Sequence, residues 1–456
     1  MTRYFIFLVA AFLICNTGPS FADSLVMKLH MVRKETVGTD TSAPSLTQRD
    51  FTVTLFPQIV DVRSGNKEMI YNFDSRQIYA ADYSRKTLTT YPLCAIILSR
   101  QQDKERELQS LLKKQGTSSP AASPDDAIEI DMRYGGSSTT KTSEMIHISQ
   151  QTGQTSFSAA DRPLAVFSHS SNAIPEDLRG SYAHFLLYET NLHPVIWQSI
   201  SSADNFFTML NYTFREKDKK TEITMTLTSV QQTKAVGPDV QGLAPEITGD
   251  KAVDGAIVRS AAAPMGGVKG MEEKIGAFLK QKDSLRAGLA AKVLELSHGS
   301  NVAISSALTQ EALKPADSFA ASVFEIAGNQ PRTTEQFIQN MGKLNQAKEQ
   351  APDYAYLIEY FRATQIRSVV ENRAQRSPEE ENAMRAAFDK LSGAIVANPW
   401  LTGAYCDLGD AYFNAHEIPR ALLMWEQAAR LNESYPGLQR AWALQQQAQK
   451  DFPEYF

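Results

Sequence analysis

A change of hydrophobic period part-way along the chain limits its fold more than any other feature. Up to about residue 230, apolar residues recur at every second position, and beyond about residue 270 they recur every three to four. A period of two puts alternate side chains on one face of a strand, and a period near 3.6 puts them on one stripe of a helix. Phe51, Val53 and Leu55 alternate with Thr52 and Thr54, and Ile223, Met225 and Leu227 alternate with Glu222, Thr224, Thr226 and Thr228. Met69, Tyr71 and Phe73 do the same before Asp74-Ser75-Arg76, which has turn chemistry. Ile128, Ile130 and Met132 read as another strand. Two helices interrupt the strands: a charge-rich one over 103–114, and one over 175–200 that Pro194 should split. In the second half, Ile275, Leu279, Leu289, Val293 and Leu296 form a helical stripe, and Gly299 follows as a C-terminal cap. Ser377-Pro378-Glu379-Glu380 is a capping box, and its helix should run to about Asn398. Strands first and helices second predict an α+β chain. An antiparallel β-rich domain precedes an all-α helical-repeat domain, rather than one α/β fold.

The boundary between the two is compositional. Residues 231–270 contain no aromatic side chain, seven Gly and three Pro. Such a stretch buries too little apolar surface to offset its ordering entropy, so it reads as a flexible linker. The expected domains are therefore 23–230 and 271–456. Ahead of them, Arg3 is followed by an unbroken apolar run of eleven residues, Tyr4 to Ile14, and then by Ser20-Phe21-Ala22. That is the pattern of a secretory signal peptide over residues 1–22, cleaved after Ala22, and it implies a periplasmic or secreted product. Past it only Cys94 and Cys406 remain, and two free buried thiols are the expected state.

From Gly403 the chain reads GAYCDLGDAYFNAHEIPRALLMWEQAARLNESYP. Tyr405, Leu408-Gly409, Tyr412, Ala421, Trp425 and Ala428 fall at the spacing of a tetratricopeptide repeat, and the segment resembles that family. The closing proline departs from the pattern, coming three residues late at Pro436. A looser match precedes it: Tyr354, Leu357 and Phe361 fit a first helix and Ala387, Leu391 and Ala394 a second, with an insertion between. Residues 437–450 would supply the terminal capping helix. The resemblance implies a protein-binding groove lined by the first helix of each pair, here Cys406, Asp410, Phe413 and Asn414. The N-terminal stretch resembles, more loosely, the half-barrel of lipoprotein carriers. In that reading Tyr71, Phe73, Ile223, Met225 and Leu227 line an apolar ligand cavity.

Other chemistry is not visible in the sequence. With 46 Lys+Arg against 51 Asp+Glu the chain lacks the basic excess of a nucleic-acid binder. Its seven histidines form no helical zinc-protease spacing, so no metal site is expected. There is no serine-nucleophile elbow, phosphate loop or dinucleotide fingerprint, so no cofactor is expected. Ser168-His169-Ser170-Ser171 reads as a polar loop, since triad members meet through the fold rather than through adjacency. The expected function is non-enzymatic: an exported protein whose repeat domain engages a protein partner in a cell-envelope assembly. A periplasmic carrier or sensor of a lipid or other apolar ligand in the N-terminal β domain is the alternative, and a hydrolase the less favoured third.

Overall fold

The computed structural model describes residues 21–38, 43–115, 123–135, 140–160, 162–216, 218–262, 267–299, 306–370 and 377–455. Residues 1–20 of the expected signal segment lie outside them. The described parts of 1–245 and 447–456 form one compact unit, and those of 246–446 a second. The α+β class holds: a large antiparallel sheet precedes an all-helical region.

The first unit is built on a twelve-stranded sheet. Its strands are β1 (Phe21–Val37), β2 (Ser45–Phe56), β3 (Ile59–Ser64), β4 (Lys67–Asn72), β5 (Gln77–Asp82) and β6 (Thr87–Pro92). They continue with β7 (Ile146–Gln151), β8 (Gln154–Ala159), β9 (Arg162–Ala173), β10 (Asn205–Glu216), β11 (Lys219–Val236) and β12 (Ala244–Pro245). The spatial order is β12-β6-β5-β4-β3-β2-β1-β11-β10-β9-β8-β7, so β1 lies inside the sheet between two meanders. At one edge the short β12 runs parallel to β6 and ends in Pro245, which has no N–H to offer a further strand.

Register divides the sheet into two faces. Met31 pairs with Met225, which pairs with Leu210, which pairs with Phe167. Leu25 pairs with Leu55, Leu55 with Val60, and Val60 with Tyr71. With period-two alternation, all of these side chains share one face. Helix α4 (Arg179–Glu189) packs on it, and Tyr182, Phe185 and Leu186 are buried there. Ser181 Oγ donates to the Pro57 carbonyl at 3.1 Å, and the Phe207 N–H donates to Tyr182 Oη at 3.3 Å. Pro194 splits the long helical segment as expected, ending in a second helix, α5 (Pro194–Ser201).

Two expectations from the sequence are corrected, one within this unit and one across residues 231–270, which the two units share. Ile128–Met132 is not a strand but part of α2 (Pro124–Tyr134), which follows α1 (Cys94–Gln115) and precedes α3 (Thr140–Glu144). Ile128, Ile130 and Met132 are buried, and so are Glu129 and Asp131 between them and Arg133 after them. Residues 128–133 are buried whether apolar or charged, so the alternation of apolar and charged types there does not report a strand with one face in water. The deciding signals are Ser123, whose hydroxyl caps the Asp126 N–H at 3.1 Å, Pro124 in the first turn and Gly135 at the end. The second correction concerns residues 231–270, which carry structure over most of their length. β11 runs to Val236, β12 joins the sheet, and α6 (Lys251–Ala262) buries Val253, Ala256 and Ile257.

The second unit continues with α7 (Val268–Lys280), α8 (Ser284–His298), α9 (Ala307–Leu313), α10 (Ser318–Gly328) and α11 (Thr334–Gln350). It ends with α12 (Ala355–Val370), α13 (Pro378–Ala397), α14 (Thr402–Asn414), α15 (Ile418–Leu431) and α16 (Gln439–Asp451). Consecutive helices pack as hairpins: α7 with α8, α12 with α13, and α14 with α15. The capping box at Ser377 is complete, and Asn398 ends that helix. In the α14–α15 hairpin a Cβ on Gly409 would lie 2.6 Å from Trp425, so glycine is what lets the two helices meet. The chain returns to the first unit at residue 447. There Phe452 and Tyr455 are buried, Arg100 Nη1 donates to Tyr455 Oη at 2.9 Å, and Tyr188 Oη donates to the Tyr455 carbonyl at 3.1 Å.

Candidate functional site

The four residues assigned to the repeat's groove come together, but in packing roles. Cys406 is buried, and its thiol is pushed up by that burial and by the carboxylates of Asp407 and Asp410. Asp410 accepts a hydrogen bond from Trp425 Nε1 at 3.2 Å, and burial raises its carboxyl above the ordinary range. Phe413 lies against Trp425 with ring centroids 5.6 Å apart, and the Arg440 guanidinium sits 5.0 Å from its ring. Asn414 Oδ1 accepts from the same Arg440 at 3.3 Å. Arg440 is in the first turn of α16, so the capping helix occupies the side on which a partner was expected.

An open groove lies one hairpin earlier. It has a volume of about 500 Å³ and is bounded by Lys348 of α11, Tyr356 and Glu359 of α12, and Asp389, Lys390 and Gly393 of α13. Ala355, Ala386 and Ala394 complete its lining, so small side chains make much of its wall. Glu359 organises the charges. It accepts hydrogen bonds at 2.8 Å from both Lys348 Nζ and Arg362 Nη1, and it pairs with Lys390 Nζ. Burial alone would raise this carboxyl. The hydrogen bonds from Lys348 and Lys390 and the charge of Arg362 outweigh it and hold the group at about 2. Each lysine ammonium carries three donors, and one from each is spent on Glu359.

The five residues of the expected apolar cavity also share a face of the sheet, the one that α4 covers. Tyr71 Oη donates to Glu189 at 2.6 Å, and its ring stacks on Tyr188 at 5.0 Å. Phe73 stacks on His184 at 4.1 Å. Ile223 and Met225 are buried, while Leu227 is half-buried. Aromatic side chains of α4 therefore sit where a ligand would meet Tyr71 and Phe73.

One polar cluster has no forerunner in the sequence reading. Asp131 accepts from Lys104 Nζ at 2.6 Å and from Thr142 Oγ1 at 3.0 Å, and His193 Nε2 lies 3.6 Å away. Burial opposes ionisation of Asp131, but His193 and Lys104 hold its carboxyl below the ordinary value. The cluster is enclosed, with His193 at 0% exposure and Asp131 at 3%, so it ties α1 and α2 to the loop before α5 and offers no substrate a place. Residues 168–171 are not the expected polar loop but part of strand β9, and serine, histidine and carboxylate do not converge there either. His169 Nε2 meets Thr155 Oγ1 at 3.1 Å, and Ser170 Oγ accepts from the Asn172 N–H at 3.0 Å. Cys94 and Cys406 are both buried and are not joined by a disulfide. Among the described residues no group of three or more His, Cys, Asp or Glu could hold a metal, and no helix is long and apolar enough to cross a membrane.

No protein-family model matches the chain, and no curated protein matches it in sequence. Among solved structures it is similar to one titled for lipid–protein interactions in lipovitellin, at 9% identity and a TM-score of 0.20. That match covers 91% of this chain and 53% of the other, so this chain spans about half the length of the protein it matches. A score that low defines no common fold.

Proposed function

We propose that this is a non-enzymatic binding protein of the cell envelope. Its helical unit holds an extended segment of a partner protein in the groove between α11, α12 and α13. The observation that carries the reading is the groove itself: an open channel of about 500 Å³ with alanine and glycine in its wall, and with Lys348 and Lys390 beside Glu359 and Asp389. Small side chains let a polypeptide backbone come close. The unspent lysine donors favour a partner segment with an acidic side chain. Repeat-like stacking of helical hairpins supports the reading by building such grooves between successive pairs. The apolar run at Tyr4–Ile14 supports export, and with it an envelope partner.

The test is site-directed photocrosslinking in the native host, with the crosslinker at Tyr356 or at Gly393. A single partner band from both positions is expected, lost when Lys348→Glu and Lys390→Glu are combined. A partner that crosslinks instead through positions 410 and 413, and ignores the two charge reversals, would move the docking site to the α14–α15 hairpin and end this assignment.

A further inference from the structure

The face of the sheet opposite α4 carries a groove of its own, with a volume of about 370 Å³. Register places its walls. Leu210 pairs with Phe167 and Tyr212 with Ala165 on the α4-covered face. Val166, Met209, Asn211 and Thr213 therefore point to the other side, and Leu164, the extra residue at a register shift between β8 and β9, is buried against the groove. Leu164, Val166 and Met209 make one end of the lining apolar. Arg162, Arg215 and Lys220 make the other end cationic, against the carboxylates of Glu129 and Glu222.

Those two carboxylates are already engaged. Glu222 takes Lys220 at 2.6 Å and Lys34 at 3.5 Å. Glu129 takes the Arg215 backbone N–H at 2.6 Å and Nη1 of Arg162. That leaves Arg162 Nη2 buried and without a hydrogen-bond partner among the described residues. A buried charged donor left unpaired costs free energy that an anionic acceptor would recover. The Arg215 side chain is exposed at the same end.

We infer that this groove binds a single-chain amphiphile with an anionic head group. The head sits on Arg162 and Arg215, and the chain lies along Leu164, Val166 and Met209. The volume is near the lower end of the range of about 300–1,000 Å³ for small-molecule pockets, which suits one acyl chain rather than two. Charge complementarity sets the head: three cations face two carboxylates whose oxygens are spent, so an anion is favoured over a neutral or cationic group. This site is independent of the groove in the helical unit.

Isothermal titration of the full chain with dodecanoate, dodecyl phosphate and dodecanol, each below its aggregation concentration, tests it. Both anions should bind, and the tighter one identifies the head as carboxylate or phosphate. Dodecanol should bind about tenfold more weakly or worse, as expected for one lost hydrogen bond between charged groups. Arg215→Met, at an exposed position, should weaken the anions by about as much, and Val166→Trp should abolish binding by filling the groove. Circular dichroism confirms that each variant is folded, and the helical-unit pair Lys348→Glu with Lys390→Glu should leave the affinities unchanged. Equal affinity for dodecanol and dodecanoate, or undiminished binding by folded Arg215→Met and Val166→Trp, would overturn the inference.

Discussion

The hairpins α12–α13 and α14–α15 are neighbours in one helical unit and are built to the same plan, yet they do opposite things. In α14–α15 the space between helices is full: Tyr405 and Leu408 are at 0% exposure and Trp425 at 1%, with Gly409 beneath the indole. In α12–α13 the corresponding side opens into a groove around Glu359 and Gly393. The repeat pattern fits the closed hairpin well and the open one loosely. The pattern is a record of where a small residue must face a large one, so it is sharpest where helices touch. Binding needs the reverse, a place where they do not quite fill the space, and the pattern has no term for that.

Breaking the closed hairpin should produce the largest effect. Trp425→Ala removes a fully buried indole and should cost about 3–5 kcal/mol, read as lost hydrogen-exchange protection across α14 and α15. Tyr356→Ala, at the groove wall, should cost only about 1 kcal/mol in α12. If the two losses were equal, the α12–α13 hairpin would be as tightly closed as its neighbour. Glycine sharpens the contrast further, because one substitution should change sign between the hairpins. A Cβ on Gly409 meets Trp425 at 2.6 Å, so Gly409→Ala should destabilise by about 1–3 kcal/mol. A Cβ on Gly393 meets nothing within 4 Å, so Gly393→Ala should stabilise its helix by about 0.5–1 kcal/mol. Thermal melts of the two variants decide it.

What the sequence shows is what local chemistry specifies. The capping box at Ser377, the break at Pro194 and the strand around Ile223, Met225 and Leu227 were all legible, because each depends on residues a few positions apart. Helix α2 looks like a strand because Glu129, Asp131 and Arg133 alternate with Ile128, Ile130 and Met132, although Ser123, Pro124 and Gly135 mark its ends and the charged residues are buried too. Helix α6 was hidden by the glycines and prolines around it. The groove could not be seen at all. Lys348 and Lys390 lie 11 and 31 residues from Glu359, and nothing in their neighbourhoods says that they share one carboxylate. The same holds for the two faces of the sheet. Alternation identified Ile223, Met225 and Leu227 as a common face, but only the register shows that α4 covers it and that a second groove lies behind.

The smallest expected effect separates the hairpins by charge. Glu359 is held at about 2 in the folded protein, below its ordinary 4.5. Its ionised form therefore favours folding above about pH 4.5, and that contribution is lost as pH falls towards about 2. It should amount to no more than about 1 kcal/mol, because the lysines that hold it are partly solvated. Asp410, in the closed hairpin, is shifted the other way: burial raises its carboxyl above 3.8. Its ionised form opposes folding at neutral pH, and the opposition is relieved as pH falls through the raised value. Melting temperatures of the wild type, Glu359→Gln and Asp410→Asn should therefore diverge with opposite slopes. On acidification the deficit of Glu359→Gln against wild type shrinks, while wild type gains on Asp410→Asn. Parallel pH profiles would mean that the two carboxylates sit in equivalent surroundings, and the distinction between an open, charged hairpin and a closed, desolvated one would fail at the residues that define it best.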